Sequence, residues 1–200
     1  MSDETFQRFV ARYESNQLPW DDELPPPEVI ALVPKLEVGR ALDLGCGYGR
    51  TAIYLAKHGC QADGIDYVPA AVKGAKHRAE IAGVGDRVNF YEGSASSPDM
   101  LTGPYDLAVD IGCMHSFPDE QLIEYRDSLK RLLLPGARYL LFAHVRDQDL
   151  ADGERPHGIT DGRIDTLFAD GFKCDHLEVG STQVEDRAPW RSVWYWFTRV

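Results

Sequence analysis

Apolar and polar positions switch between two periods along the middle of this chain, and the switches mark its elements. Ala41, Leu42 and Leu44 form a short apolar run that breaks at Gly45, the pattern of a buried strand. From about Gly49 to His58, Ala52, Leu55 and Ala56 fall on one side of a helix that Gly59 stops. Gln61 to Asp66 predicts a second strand. Pro69 suits the first turn of a helix reaching Ala82, where Ala71, Ala75, Ala79 and Ala82 line one side and Gly83 follows. Arg87 to Glu92 alternates as a third strand, and Tyr105 to Ile111 is apolar enough for burial on both faces. Leu122, Tyr125, Leu129, Leu132 and Leu133 recur at helical spacing from Asp119 to Leu133, and Pro135-Gly136 predicts the stop before a strand over Ala137 to Val145. A last helix is expected near Asp161 to Ala169. Cys174 to Val179 and Trp190 to Arg199 then predict two strands joined as a hairpin.

Strands alternating with helices are the signature of parallel βαβ units, and seven strands are expected. Two hundred residues, 44% hydrophobic and 26% charged, fit one domain, with residues 1–38 as a cover arm and 39–200 as the core. The arm holds Pro19-Trp20-Asp21 and Pro25-Pro26-Pro27. Proline fixes φ and restricts its predecessor, so this stretch cannot be one regular element.

A net charge of −11 argues against a phosphate-tracking surface and hence against a nucleic-acid partner. Cys46, Cys60, Cys113 and Cys174 are spread without a C-x-x-C pair, as suits a reducing cytoplasm. The N-terminus carries no basic and apolar leader, and no apolar run is long enough for a bilayer, so a cytoplasmic location without membrane contact is expected. His115, His144 and His157 lack ligand spacing, and no metal is expected. Nothing in the sequence fixes an oligomeric state.

The informative line is Arg40-Ala41-Leu42-Asp43-Leu44-Gly45-Cys46-Gly47-Tyr48-Gly49-Arg50, a strand breaking into a glycine turn that opens a helix. Glycines allow positive φ and close approach of a small molecule. A dinucleotide turn reads G-x-G-x-x-G. Here the third glycine comes one residue early, and Asp43 sits in the strand end, where a carboxylate suits a cationic ligand. Asp66 ends the second strand roughly 20 residues after the first glycine, the offset at which an acid meets a ribose diol; it also suits a helix N-cap.

These residues resemble motif I of the class I S-adenosylmethionine-dependent methyltransferases, an acid, one residue, then G-x-G-x-G. Pro19-Trp20-Asp21, Asp110 to Phe117, Leu134-Pro135-Gly136 and Arg191 to Trp196 resemble the thiopurine, thiol and tellurite-resistance group within it. The resemblance covers nearly the whole chain. It implies an α/β Rossmann-like sheet of order 3-2-1-4-5-7-6 with an antiparallel last strand and helices on both faces. It implies S-adenosylmethionine as cofactor, a small-molecule acceptor, and release of S-adenosylhomocysteine.

The resemblance also implies the site. Asp43 lies near the methionine amino group, with Leu44, Gly45, Cys46, Gly47, Gly49 and Arg50 as the turn around the cofactor. Asp66 takes the ribose diol and Tyr67 lies against adenine. Gly93, Ser94 and Ala95 follow the third strand where the adenine is bonded. Asp110, Ile111 and His115 leave the fourth strand towards the methionine moiety and the acceptor. Trp20 caps the methionine end, while Tyr13, Trp20, His115 and His144 face the acceptor, with His157 nearby. His115 is the candidate catalytic base, since imidazole titrates near neutrality; an isolated histidine more often serves as a structural hydrogen-bonding group. Trp190, Trp194 and Trp196, at period two, fit one face of a strand better than an aromatic cage. Two other classes remain alternatives: a nicotinamide-dependent oxidoreductase, disfavoured by the glycine spacing and Asp43, and a non-catalytic cofactor-binding module.

Overall fold

The computed structural model describes residues 3–37, 39–146, 158–183 and 189–200. The strands are β1 (Arg40–Leu44), β2 (Gln61–Asp66), β3 (Val88–Glu92), β4 (Tyr105–Ile111), β5 (Leu133–Arg146), β6 (Ile159–Thr160), β7 (Phe172–Thr182) and β8 (Trp190–Arg199). The α-helices are α1 (Asp3–Glu14), α2 (Pro27–Leu32), α3 (Arg50–Lys57), α4 (Pro69–Ile81), α5 (Asp119–Leu132) and α6 (Arg163–Phe168).

The sheet runs β3-β2-β1-β4-β5-β8-β7, with the two-residue β6 attached to the end of β5. Pairings among β1 to β5 are parallel, and β8 is antiparallel to both β5 and β7. Setting the short β6 aside, this is the expected order. β1 is buried on both faces: Ala41 packs with Leu55 and α2, while Leu42 and Leu44 join the large core with Tyr125, Leu129 and Phe168. Because chain order reverses between β1 and β4, the carboxyl ends of these two strands border a crevice.

Several boundaries differ from the sequence expectation. α5 ends at Leu132 and β5 already begins at Leu133, so Pro135-Gly136 lies inside the strand. The register with β4 shifts between Tyr105 and Leu107, and this irregularity accommodates a residue without an N–H and a glycine at φ 85°. α6 is shorter than expected because Gly162, in the left-handed region, opens it late. β7 extends beyond Cys174 to Val179 at both ends, since it pairs with β8 from Phe172 to Thr182. The arm contains two helices, α1 and α2, that were not expected from the sequence. No helix among the described residues is long and apolar enough to cross a membrane.

Candidate active site

The glycine turn is folded back onto β2, with the N–H groups of Gly45 and Cys46 both donating to the Ile65 carbonyl at 2.9 and 3.0 Å. Gly45, Gly47 and Gly49 have φ of 70°, 55° and 78°. A Cβ on Gly45 would meet Cys113 Cβ at 2.6 Å, and one on Gly49 would meet Phe90 at 2.6 Å. Those two glycines are therefore needed by the fold's own packing. Gly47 differs: the nearest atom to its missing Cβ is the Tyr13 hydroxyl at 3.1 Å, contributed by the arm. This is the point at which the turn is open to whatever lies beneath the arm.

Three carboxylates end β1, β2 and β4 around the crevice. Asp43, Asp66 and Asp110 are 4%, 6% and 0% exposed. Asp43 accepts one hydrogen bond, from the Ala52 N–H in the first turn of α3 at 3.0 Å. Burial pushes its pKa up to about 7 against the opposing effects of that N–H and Arg50. Asp66 accepts from the Gly47 N–H at 3.0 Å and the Val68 N–H at 2.9 Å, with the Tyr67 N–H also directed at it, and burial raises its pKa as well. Asp110 is saturated. It accepts from the N–H groups of Cys113 (2.7 Å) and Met114 (3.1 Å) and from the Tyr125 hydroxyl (2.7 Å), with the Gly112 N–H also directed at it. A carboxylate has about four lone-pair sites, so Asp110 shapes the loop after β4 and has nothing left for a ligand. Asp43 and Asp66 retain acceptor capacity.

The arm closes over this crevice. Phe6, Phe9, Val10 and Tyr13 recur at one-face spacing on α1. Phe6 and Phe9 lie 5.6 and 5.9 Å from the Tyr67 ring, and Tyr13 lies 5.1 Å from Tyr48 and 6.3 Å from Trp20. Two ion pairs hold the arm down: Arg78 donates to both oxygens of Asp21 at 2.7 and 2.6 Å, and Arg50 donates to Asp22 at 3.2 Å. Sequence reading missed these clamps, whose partners lie far along the chain; the spacing on α1 was the available signal. Tyr67 sits under the arm, its buried hydroxyl without a hydrogen-bond partner among the described residues.

The other expected site residues have these surroundings within the protein. Leu44 and Ala95 belong to the main core, and Ile111 packs with the Leu107 and Val109 side of the sheet. Cys46 is buried between α3 and β3, and Arg50 is engaged by Asp22. Gly93 faces Met100, and the Ser94 hydroxyl bonds Ser96 at 2.8 Å.

The loop after β4 divides the crevice from a second space. Cys113 touches Gly45 on one side, while His115 lines a cleft of about 540 Å³ on the other, with Phe117, Leu122, Ile159 and Arg146 among its walls. His144 N–H donates to His115 Nδ1 at 3.1 Å, and the two rings lie 4.9 Å apart. A neutral ring accepting at Nδ1 carries its hydrogen on Nε2. In that tautomer His115 presents a hydrogen-bond donor at Nε2. His157 lies outside the described residues.

A mostly parallel sheet with a glycine turn at its switch point and acids ending β1 and β2 defines the class I, Rossmann-like methyltransferase architecture. The chain belongs to the methyltransferase domain family, whose profile matches residues 41–136. It is an S-adenosylmethionine-dependent methyltransferase, which sets the nicotinamide alternative aside. The 2-heptyl-1-hydroxyquinolin-4(1H)-one methyltransferase of Mycobacteroides abscessus is 30% identical over 160 residues, covering 80% of this chain and 70% of that protein. Ajmaline N-methyltransferase of Rauvolfia serpentina is 30% identical over 123 residues, or 61% of this chain and 41% of the plant enzyme. Among solved structures, the Burkholderia thailandensis 1,6-didemethyltoxoflavin-N1-methyltransferase, with 1,6-didemethyltoxoflavin and S-adenosylhomocysteine bound, superposes with a TM-score of 0.75. It is 22% identical, with 98% of this chain and 88% of that chain covered.

Proposed function

We propose that this enzyme methylates an oxygen or nitrogen of a small, planar heteroaromatic acceptor. The observation that carries this reading is the pair of compartments divided by the Cys113–His115 loop: an acidic crevice beneath an aromatic arm, and a cleft of about 540 Å³ within the usual range of small-ligand sites. The heteroaromatic substrates named for two of the related proteins support it.

The donor set suits S-adenosylmethionine, which supplies an electrophilic methyl group on a cationic sulfur. Asp43 and Asp66 are carboxylates that burial has left short of stabilisation, so a positively charged ligand with a vicinal diol answers both. In this reading Asp43 compensates the cationic end and Asp66 receives the ribose hydroxyls. Gly47 admits close approach, and Tyr13, Trp20 and Tyr67 exclude water. His115 donates from Nε2 to the acceptor, and His144 holds that ring in place. Methyl transfer is an in-line displacement for which positioning supplies much of the rate, so no protein base is required. The four free cysteines support a reducing cytoplasm, and the net charge of −11 argues against a nucleic-acid substrate.

The test is a screen of planar heteroaromatic acceptors with methyl-labelled S-adenosylmethionine. Label is expected on a ring oxygen or nitrogen. Tight S-adenosylhomocysteine binding with no transfer to any planar heteroaromatic would overturn the acceptor class.

A further inference from the structure

The cleft beyond His115 holds a cation in an unusual position for so acidic a chain. Its apolar side is made by Phe117, Leu122 and Ile159. Its two acids are both engaged: Asp119 accepts from Arg163 at 3.3 Å, and Asp161 pairs with Arg191 at 2.9 Å. Arg146, the last residue of β5, is different. Its Nε donates to the Gly158 carbonyl at 3.1 Å, and its own carbonyl accepts from the Asp161 N–H at 3.0 Å. Both Nη groups are without a hydrogen bond or ion pair among the described residues.

The local backbone is built to present this guanidinium. Val145 and Arg146 pair in register with Ile159 and Thr160. Gly158 has φ 89°, and a Cβ there would strike the His144 carbonyl at 2.6 Å, so only glycine allows the chain to come close enough for the Arg146 bond. The side chain is thereby fixed through one nitrogen while its outer edge is left for a ligand. A guanidinium edge presents parallel N–H donors that match an anionic oxygen group, and a site built to pair a charge discriminates strongly against ligands lacking it.

We propose that Arg146 is a specificity-determining residue that selects acceptors carrying an anionic oxygen, an ionised hydroxyl or a carboxylate, on a flat apolar ring system. Phe117, Leu122 and Ile159 take the ring, and the Arg146 Nη groups take the oxygen. This rests on the reading of the cleft as the acceptor compartment.

The test uses quinoline-4-carboxylate and its neutral isostere quinoline-4-carboxamide, titrated calorimetrically into the enzyme saturated with S-adenosylhomocysteine. Wild type is expected to favour the carboxylate by about tenfold or more, the worth of one charge-assisted hydrogen bond. Arg146→Gln should abolish the preference, and Arg146→Lys, which keeps the charge, should restore part of it. Affinity for S-adenosylhomocysteine should stay unchanged in both variants, which reports an intact fold. Equal affinity of wild type for the two probes, no binding of either, or an undiminished preference in Arg146→Gln would overturn the proposal. A failure of S-adenosylhomocysteine to bind would instead count against the crevice as cofactor site, leaving the two failures distinct.

Discussion

At the scale of single residues, chemistry separates groups that look alike in the sequence. Asp43, Asp66 and Asp110 all end strands at the crevice, yet only the first two keep lone pairs for a ligand. The acids themselves were legible from spacing, but the saturation of Asp110 was not, because Tyr125 reaches it from a helix fifteen residues on. Gly47→Val should weaken S-adenosylhomocysteine binding in a folded variant. It would place a β-branched side chain at φ 55°, against the Tyr13 hydroxyl, at a strain cost of about 1–2 kcal/mol. Calorimetry on the folded variant checks this, and full retention of affinity would remove Gly47 from the cradle. For His115, Asn is the informative replacement, since its amide can both accept from the His144 N–H and donate. His115→Asn should keep the wild-type shape of the pH–rate profile with an identified acceptor. Loss of an acidic limb present in wild type would restore the general base.

At the scale of elements, the helices of the core were read closely, whereas the start of β5 and the end of β7 were not, and β6 was missed. β2, β4 and β8 carry the expected bounds. Pro135-Gly136 misled because local chain signals read as a stop, whereas pairing across to β4 carries the strand through them. The arm shows the same division. Its aromatic face was present in the spacing of Phe6, Phe9 and Tyr13, but its clamp joins Asp21 to Arg78, a contact no local pattern encodes. Arg78→Met should release the arm, as the bidentate pair and the guanidinium over Tyr48 at 4.5 Å are both lost. Limited proteolysis ahead of Pro27 should accelerate in the variant without ligand, and S-adenosylhomocysteine should slow it. Cleavage rates equal to wild type would show that aromatic packing alone holds the arm.

At the scale of the whole molecule, the sheet gathers buried acids at one crevice, and this sets how the protein responds to protons. The strand order came from resemblance, since periodicity identifies strands and leaves their neighbours undetermined. Asp43 and Asp110 hold folded pKa values of about 7, above the ordinary value of about 3.9 for an unfolded chain. Between those limits the native state binds more protons than the unfolded one. The contribution of these acids to the stability of the ligand-free protein therefore falls as pH rises from about 4 to about 7. A cation placed beside Asp43 favours its ionised form, so binding at about pH 7 must expel protons. Calorimetric titration with S-adenosylmethionine near pH 7, in two buffers of different ionisation enthalpy, measures that release directly. The acidic crevice predicts heats that differ between the buffers by a net proton loss, reduced in Asp43→Asn; identical heats in both buffers, or the same release in the variant, would contradict it.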